Sequence, residues 1–410
     1  MTESAIVATE IADWRDAGSR TPPAEILAGL SVEVLRRAGL RPRDLDAIVA
    51  NTMALPYDSP SHITLNSQLV AHRVAEKIGA LGAAALNVSA ACASQMIAFS
   101  VANDMIRTGS ARSVLVVGYD NSPKGFYYQS PSYLDSDLAA GYPHQVVGIT
   151  NPDYWAMWAR RRAYEMGKSV EEIKLLMARV KEELSKSGAL NPHARYRRVF
   201  TVKEVLESPV VADPLHLYMI SAVSSGGGAA LIMDAERAEK LVDNPVRIAA
   251  SKVGGPAYDE PSPRLVNFST AGGRRASRPF IEWRRTIEAA YKEAGISAED
   301  VDIMEVHDTS TFHVINWIDQ AMGWEREETD RLIEEGGIGR RGRLPVNLSG
   351  GTSSFGEAVQ SQALMMVHEM VLQLRGKAGE RQAAKRLRRG LVTAYGAYGA
   401  YGAMVLEIGG

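Results

Sequence analysis

The chain of 410 residues has a single cysteine, Cys92. One cysteine excludes an internal disulfide and any zinc cluster built on several thiolates. Charge of one sign is also missing: 46 Lys and Arg stand against 48 Asp and Glu, a net charge of -2, which leaves no electrostatic footprint for nucleic acid. No run of about 18 apolar residues occurs, so no membrane span is predicted. No Walker or GxGxxG loop offers a ready phosphate cradle. The opening residues, MTESAIVATEIADWRDAG, lack a basic and then apolar leader, so no secretory signal is predicted and the expected address is the cytoplasm.

What is present is an internal repeat. VEVLRRAGLRPRDLDAIVANT (32–52) and IEAAYKEAGISAEDVDIMEVHDT (287–309) both read as helix end, turn and strand. Setting Ala38-Gly39 on Ala294-Gly295 puts Asp44 on Asp300, Asp46 on Asp302 and Asn51 on His307. Downstream, NVSAACAS (87–94) lines up with NLSGGTSS (347–354), each followed by an apolar-periodic helix and another strand. Alternating helices and apolar strands predict an α/β fold with mixed sheets covered by helices. The expected division is 1–245 and 246–410, with a long aromatic-rich and then helical insertion at about 120–210 in the first half, a common form of binding lid.

Cys92 lies at a strand-to-helix turn among alanines and serines, where a substrate can approach the backbone. A helix start supplies unpaired N–H groups and a partial positive charge, which predicts a thiol pKa lowered toward the reactive thiolate. A free cysteine is more often a small buried hydrophobe, and the flanking sequence is what tips the balance toward chemistry.

NVSAACASQMIAFSVANDMIRTGSARSVLVVGYDN resembles the nucleophile region of the thiolase superfamily. EVHDTSTFHVINWIDQAMG resembles the His-Asp motif of its sterol-carrier-protein and archaeal types. VNLSGGTSSFGEAVQSQALMMVHEMVLQLRG is similar to the segment where relatives carry Asn-Pro-Ser-Gly-Gly and then Gly-His-Pro. The resemblance runs through almost the whole chain. It implies the thiolase fold: duplicated βαβαβαββ halves in five α-β-α-β-α layers, usually as a homodimer. It also implies coenzyme A or acyl-CoA as substrate, with no tightly bound cofactor and no metal. Cys92 then matches the acyl-accepting nucleophile. His307 matches a histidine that helps polarise the thioester carbonyl. Asn347 is a candidate for orienting neighbouring groups or a water.

Two departures stand out. Glu357 occupies the place of the Gly-His-Pro histidine that activates the thiol in relatives. It is either a base of raised pKa, which would also oppose thiolate formation, or an acidic helix-start residue. The second cysteine of the family is also absent; one of its positions is Thr309, the other falls in TAYGAYGAYGAMVLEIGG, with Tyr395, Tyr398 and Tyr401. His62 and His144 are candidates to reach the thiol in place of the lost histidine, and His313 and His368 read as packing or surface residues. Arginines of ARYRRV (194–199) and GGRRASR (272–278) are weak candidates for phosphate contacts. The expected function is acyl transfer that forms or cleaves a C–C bond of a 3-oxoacyl-CoA through a Cys92 acyl-enzyme. The alternative is a retro-aldol cleavage of a CoA-thioester side chain by an aldolase of the same fold, and a non-catalytic scaffold ranks last. Relatives of this kind suggest a small zinc-ribbon/OB-fold subunit as partner.

Overall fold

The computed structural model describes residues 2–14, 21–52, 69–121, 150–255, 281–396 and 399–409. The chain begins with β1 (Ser4–Ile11), α1 (Pro23–Arg37), β2 (Ala47–Asn51), α2 (Val70–Ile78), β3 (Ala84–Asn87), α3 (Ser94–Arg107) and β4 (Ser113–Asn121). A helical stretch follows: α4 (Asn151–Met166), α5 (Val170–Leu190) and α6 (Val202–Glu207). A small hairpin, β5 (Val210–Ala212) and β6 (Leu215–His216), leads to β7 (Ser225–Asp234), α7 (Ala235–Glu239) and β8 (Val246–Gly254). The remainder is α8 (Ile281–Ala294), β9 (Ile303–Val306), α9 (Thr311–Met322), α10 (Arg326–Glu334), α11 (Gly351–Phe355), α12 (Ala363–Leu374), β10 (Arg389–Gly396) and β11 (Ala400–Glu407).

Apart from the β5-β6 hairpin, the described strands form one nine-stranded sheet in the order β3-β2-β4-β7-β1-β8-β11-β10-β9. The two mixed sheets expected from the repeat are therefore joined edge to edge, through a short antiparallel ladder of Ala5 with Arg247 and Ile6 with Val246. Side chains alternate across it with the period of two that a pleated strand imposes. In β2 and β4, Ile48, Leu115 and Val117 face an outer core under α1 and α2. Val49, Val114 and Val116 face an inner core shared with Met96 and Phe99 of α3 and Met365 and Met366 of α12. In β10 and β11, Leu391, Tyr401 and Val405 turn to a third core with Trp283 of α8 and Trp317 of α9. Helices α3 and α12 thus lie between two sheet regions, with α1 and α2 outside one and α8 and α9 outside the other. That is the five-layer thiolase-like arrangement.

The repeat recurs in hydrogen bonds. Asp46 Oδ2 accepts from the N–H groups of Arg112 and Ser113 at 2.8 and 2.9 Å. Asp302 Oδ2 accepts from Arg388 and Arg389 at 2.7 and 3.0 Å. The parallel pairs match as well, Ala47 with Val114 and Ile303 with Gly390. Gly39 and Gly295 both end their helices with φ near +68° and +66°, a left-handed stop that glycine adopts without a Cβ penalty.

The long α5 starts at a sequence-coded capping box, Ser169 with Glu172. It packs against α9, α10 and α11, so the inserted helices are clamped to the later part of the chain. Two contacts fix them. Arg162 of α4 is buried against Asp319 and Asp330, with the latter at 2.7 Å. Lys181 of α5 donates to the Ser353 carbonyl at 2.7 Å and to its hydroxyl at 3.0 Å.

Candidate functional site

Cys92 lies two residues before the first helical residue of α3, on a turn where Ala91 has φ 48°. The repeat-equivalent residue is Gly351, with φ +64°, and a Cβ there would meet the Asp308 carboxylate at 2.4 Å. In the second copy glycine meets a conformational and a steric demand together; in the first copy an alanine holds the same strained conformation and sets the backbone just ahead of the sulfur.

Cys92 as a residue is partly open to solvent, yet its thiol pKa is raised well above the ordinary value. Burial among protein atoms is the first cause, followed by the negative charges of Glu357 and Asp120 and a hydrogen bond to Glu357. This corrects the expectation that the helix start would lower it: a partial charge at a helix end is outweighed when two carboxylates face the sulfur. The resting group is a neutral thiol bonded to Glu357.

Glu357 is not a helix-start residue. It sits between α11 and α12, held by its own backbone: its N–H donates to the Ala222 carbonyl at 2.6 Å and its carbonyl accepts from Ser224 N–H at 3.0 Å. Its carboxylate meets Nε2 of His307 at 2.9 and 3.1 Å, and both residues are fully buried. Nδ1 of His307 lies 3.1 Å from the Tyr395 carbonyl oxygen, which can only accept, so Nδ1 carries a proton. One further proton is then shared between Nε2 and Glu357. Burial works against a charged ring, but the carboxylate charge and hydrogen bond outweigh it, and the His307 pKa is raised. With both nitrogens committed, His307 acts on Glu357, and neither N–H is left for a thioester carbonyl.

Gln362 closes the group. Its Nε2 donates to the Cys92 carbonyl oxygen at 2.8 Å and lies 3.4 Å from His307 Nε2. Nothing in the sequence pattern singled it out; it became visible only once its helix docked beside the cysteine turn.

Asn347 spends both ends of its amide on Val306, accepting from its N–H at 2.6 Å and donating to its carbonyl at 2.9 Å. That clamp fixes the strand end just before His307. Asp308 turns away and accepts from the N–H of Thr352 at 2.8 Å and of Ser353 at 3.2 Å; burial pushes its pKa up to about 7 against those hydrogen bonds. Thr309 Oγ1 and Tyr395 Oη are 2.5 Å apart, and Nε2 of His313 is 2.8 Å from the same Oη. The Tyr395 ring leans over His307, centroids 4.8 Å apart, and stacks on His313 at 5.0 Å. His313 and His368 are both buried, and desolvation holds both pKa values down. His62, His144, Tyr398 and the arginines of 272–278 lie outside the described residues. Arg195 and Arg198 are engaged locally, with the Val223 carbonyl and with Glu204. Among the described residues no group of three or more His, Cys, Asp and Glu could hold a metal, and no helix is long and apolar enough to cross a membrane.

A thiol, a carboxylate and an imidazole converging at a strand-to-helix turn of a duplicated five-layer fold define a thiolase-like acyl-transfer enzyme class. Comparison with known proteins agrees. The family described as Thiolase C-terminal domain-like matches residues 273–407, and 3-Oxoacyl-[acyl-carrier-protein (ACP)] synthase III matches 86–134. The chain is 28% identical over 358 residues to an acetyl-CoA acetyltransferase of Methanothermobacter thermautotrophicus, covering 87% of this chain and 86% of that protein. It is 28% identical over 328 residues to a steroid side-chain-cleaving aldolase of Thermomonospora curvata, with 78% of each covered. The solved Ltp2-ChsH2(DUF35) aldolase superposes with a TM-score of 0.78 at 23% identity, over 99% of this chain and 98% of that one, which shows the fold. By these matches the chain is similar to thiolase-superfamily proteins, and it is an enzyme.

Proposed function

We propose that the protein forms or cleaves the bond between C2 and C3 of a 3-oxoacyl-CoA by acyl transfer through Cys92, with Glu357 as the base. The observation that carries this is the buried pair of Glu357 and His307, 2.9 and 3.1 Å apart, whose carboxylate faces the Cys92 thiol. In the cleavage direction Sγ adds to the C3 carbonyl while Glu357 takes the thiol proton. The C2–C3 bond then breaks, its electron pair goes to C2 next to the thioester, and Glu357 returns the proton there. The acyl group, now on sulfur, leaves when the thiol of coenzyme A attacks and its proton passes through Glu357 to Sγ. One carboxylate thus serves steps for which a second cysteine is absent. His307 stabilises the protonation changes of Glu357, and Asn347 holds His307 in place. His62 and His144 remain candidates to reach the thiol in place of the lost histidine. The division at residue 245 and the homodimer belong to the same reading. So does association with a small zinc-ribbon/OB-fold subunit, supported by the two-component Ltp2-ChsH2(DUF35) aldolase.

Retro-aldol cleavage of a CoA-thioester side chain is favoured by the two carboxylates, Glu357 and Asp120, whose charges oppose a Cys92 thiolate, together with the aldolase relative. Intact-protein mass spectrometry after mixing with acyl-CoA donors separates the two. An acyl adduct present in the wild type and absent in Cys92→Ser is the expected result. Cleavage that survives Cys92→Ala with no adduct would overturn acyl transfer in favour of the aldolase.

A further inference from the structure

Gln362 is fully buried, and its amide is used only in half. The nitrogen cannot be exchanged for the oxygen, because the group it touches, the Cys92 carbonyl at 2.8 Å, only accepts. That fixes Oε1 as the second end of the amide, and Oε1 has no hydrogen-bond partner among the described residues. A buried acceptor left unmade is costly, and native structures fill nearly all of them. Its neighbours do not serve. The Cys92 thiol is given to Glu357, His307 has committed both nitrogens, and Ser361 donates to Asn51 Oδ1 at 3.1 Å. An acceptor waits beside the cysteine turn for a donor that the described residues do not supply.

We propose that Gln362 is a specificity-determining residue whose Oε1 accepts a hydrogen bond from a hydroxyl on C3 of the acyl chain. This rests on the site taking CoA thioesters and narrows the class of thioester. A C3 hydroxyl occurs in two species. One is a 3-hydroxyacyl thioester. The other is the neutral adduct formed when Sγ adds to the C3 ketone of a 3-oxoacyl thioester: the S–C bond forms, the C=O π bond opens, and the thiol proton is lent by Glu357 to the oxygen, then taken back by Glu357 as the C=O reforms and the C2–C3 bond breaks, and delivered to C2. That adduct suits a site in which no N–H of His307 is free to hold an oxyanion. A saturated acyl chain offers no donor and leaves Oε1 unmade.

The test is equilibrium binding by calorimetry to the whole chain in a Cys92→Ala background, which prevents acyl-enzyme formation, with the 3-hydroxyacyl-CoA recovered afterwards to show that it was not cleaved. The probes are 3-hydroxyacyl-CoA and saturated acyl-CoA of equal chain length. The hydroxyl is expected to tighten binding about tenfold, the usual size of one net hydrogen bond to a buried group. Gln362→Met, which keeps the length and removes the acceptor, should abolish the difference. A purely structural role for Gln362 would weaken both ligands alike. Equal affinity for the two probes before any change at Gln362 overturns the inference and leaves acyl-CoA chemistry standing. Failure of both probes to bind overturns it together with the thioester reading.

Discussion

Replacing Glu357 by glutamine tests the electrostatics of the site directly. The variant keeps size and hydrogen-bonding capacity, since an amide N–H can donate to Nε2 of a neutral His307, and it removes the negative charge facing the sulfur. A unit charge 4–6 Å away at an effective dielectric near 20 contributes about 3–4 kcal/mol. The His307 cation on the far side of the carboxylate cancels part of this, leaving about 1–2 kcal/mol, or roughly one pKa unit. The sign is fixed: an anion beside a thiol disfavours the thiolate, so its loss lowers the thiol pKa. Rates of alkylation by iodoacetamide against pH, with Cys92 the only thiol, should show the inflection moving down and the rate at neutral pH rising about tenfold. Turnover should fall at the same time, because the base is gone. A Cys92 inflection that stays in place or moves up in Glu357→Gln, in a protein that remains folded, would refute the assignment of Glu357 as the charge that holds the thiol neutral.

Asp46 and Asp302 each cap two backbone N–H groups at matching places, so Asp46→Ala and Asp302→Ala should each cost about 1–2 kcal/mol in urea unfolding, and nearly the same amount. Phe99, fully buried in the inner core, should cost about 3–5 kcal/mol as Phe99→Ala. Burial first, then the positive charges of His193, Arg381 and Arg37, hold the His368 pKa down to about 3. An unfolded histidine titrates near 6.5, so below that pH the unfolded chain binds a proton that the native chain refuses, and stability falls on acidification. Wild-type protein should therefore lose about 2 kcal/mol more than His368→Asn between pH 6.5 and pH 5, read as the difference in urea-derived stabilities.

The duplicated pattern was legible because strands buried on both faces leave continuous apolar runs, and because aspartates and glycines mark strand starts and helix stops in both copies. Cys92 was legible from the small residues around it, and Glu357 from its place in a spaced motif. The thiol's charge state was not. A helix start is visible in sequence, but the two carboxylates that outweigh it come from positions 120 and 357, brought in by the ends of other elements. His307 was readable as a site residue, yet the destination of its two nitrogens depends on the Tyr395 carbonyl and on Glu357, contacts across 88 and 50 positions. Gln362 and His313 carried no signal beyond helical periodicity.

Positions 92 and 352 stand at the same turn of the two copies, and they have diverged in employment. Thr352 gives its hydroxyl to Asp308, 2.6 Å from the carbonyl oxygen and 3.0 Å from Oδ1, and is sealed from solvent. Cys92 keeps an opening. A gene that doubled itself thus gained a spare bend, which could be retired into scaffolding while its twin stayed in contact with the outside. Moving a sulfur to position 352 would place it behind that scaffold, where no acyl group could arrive.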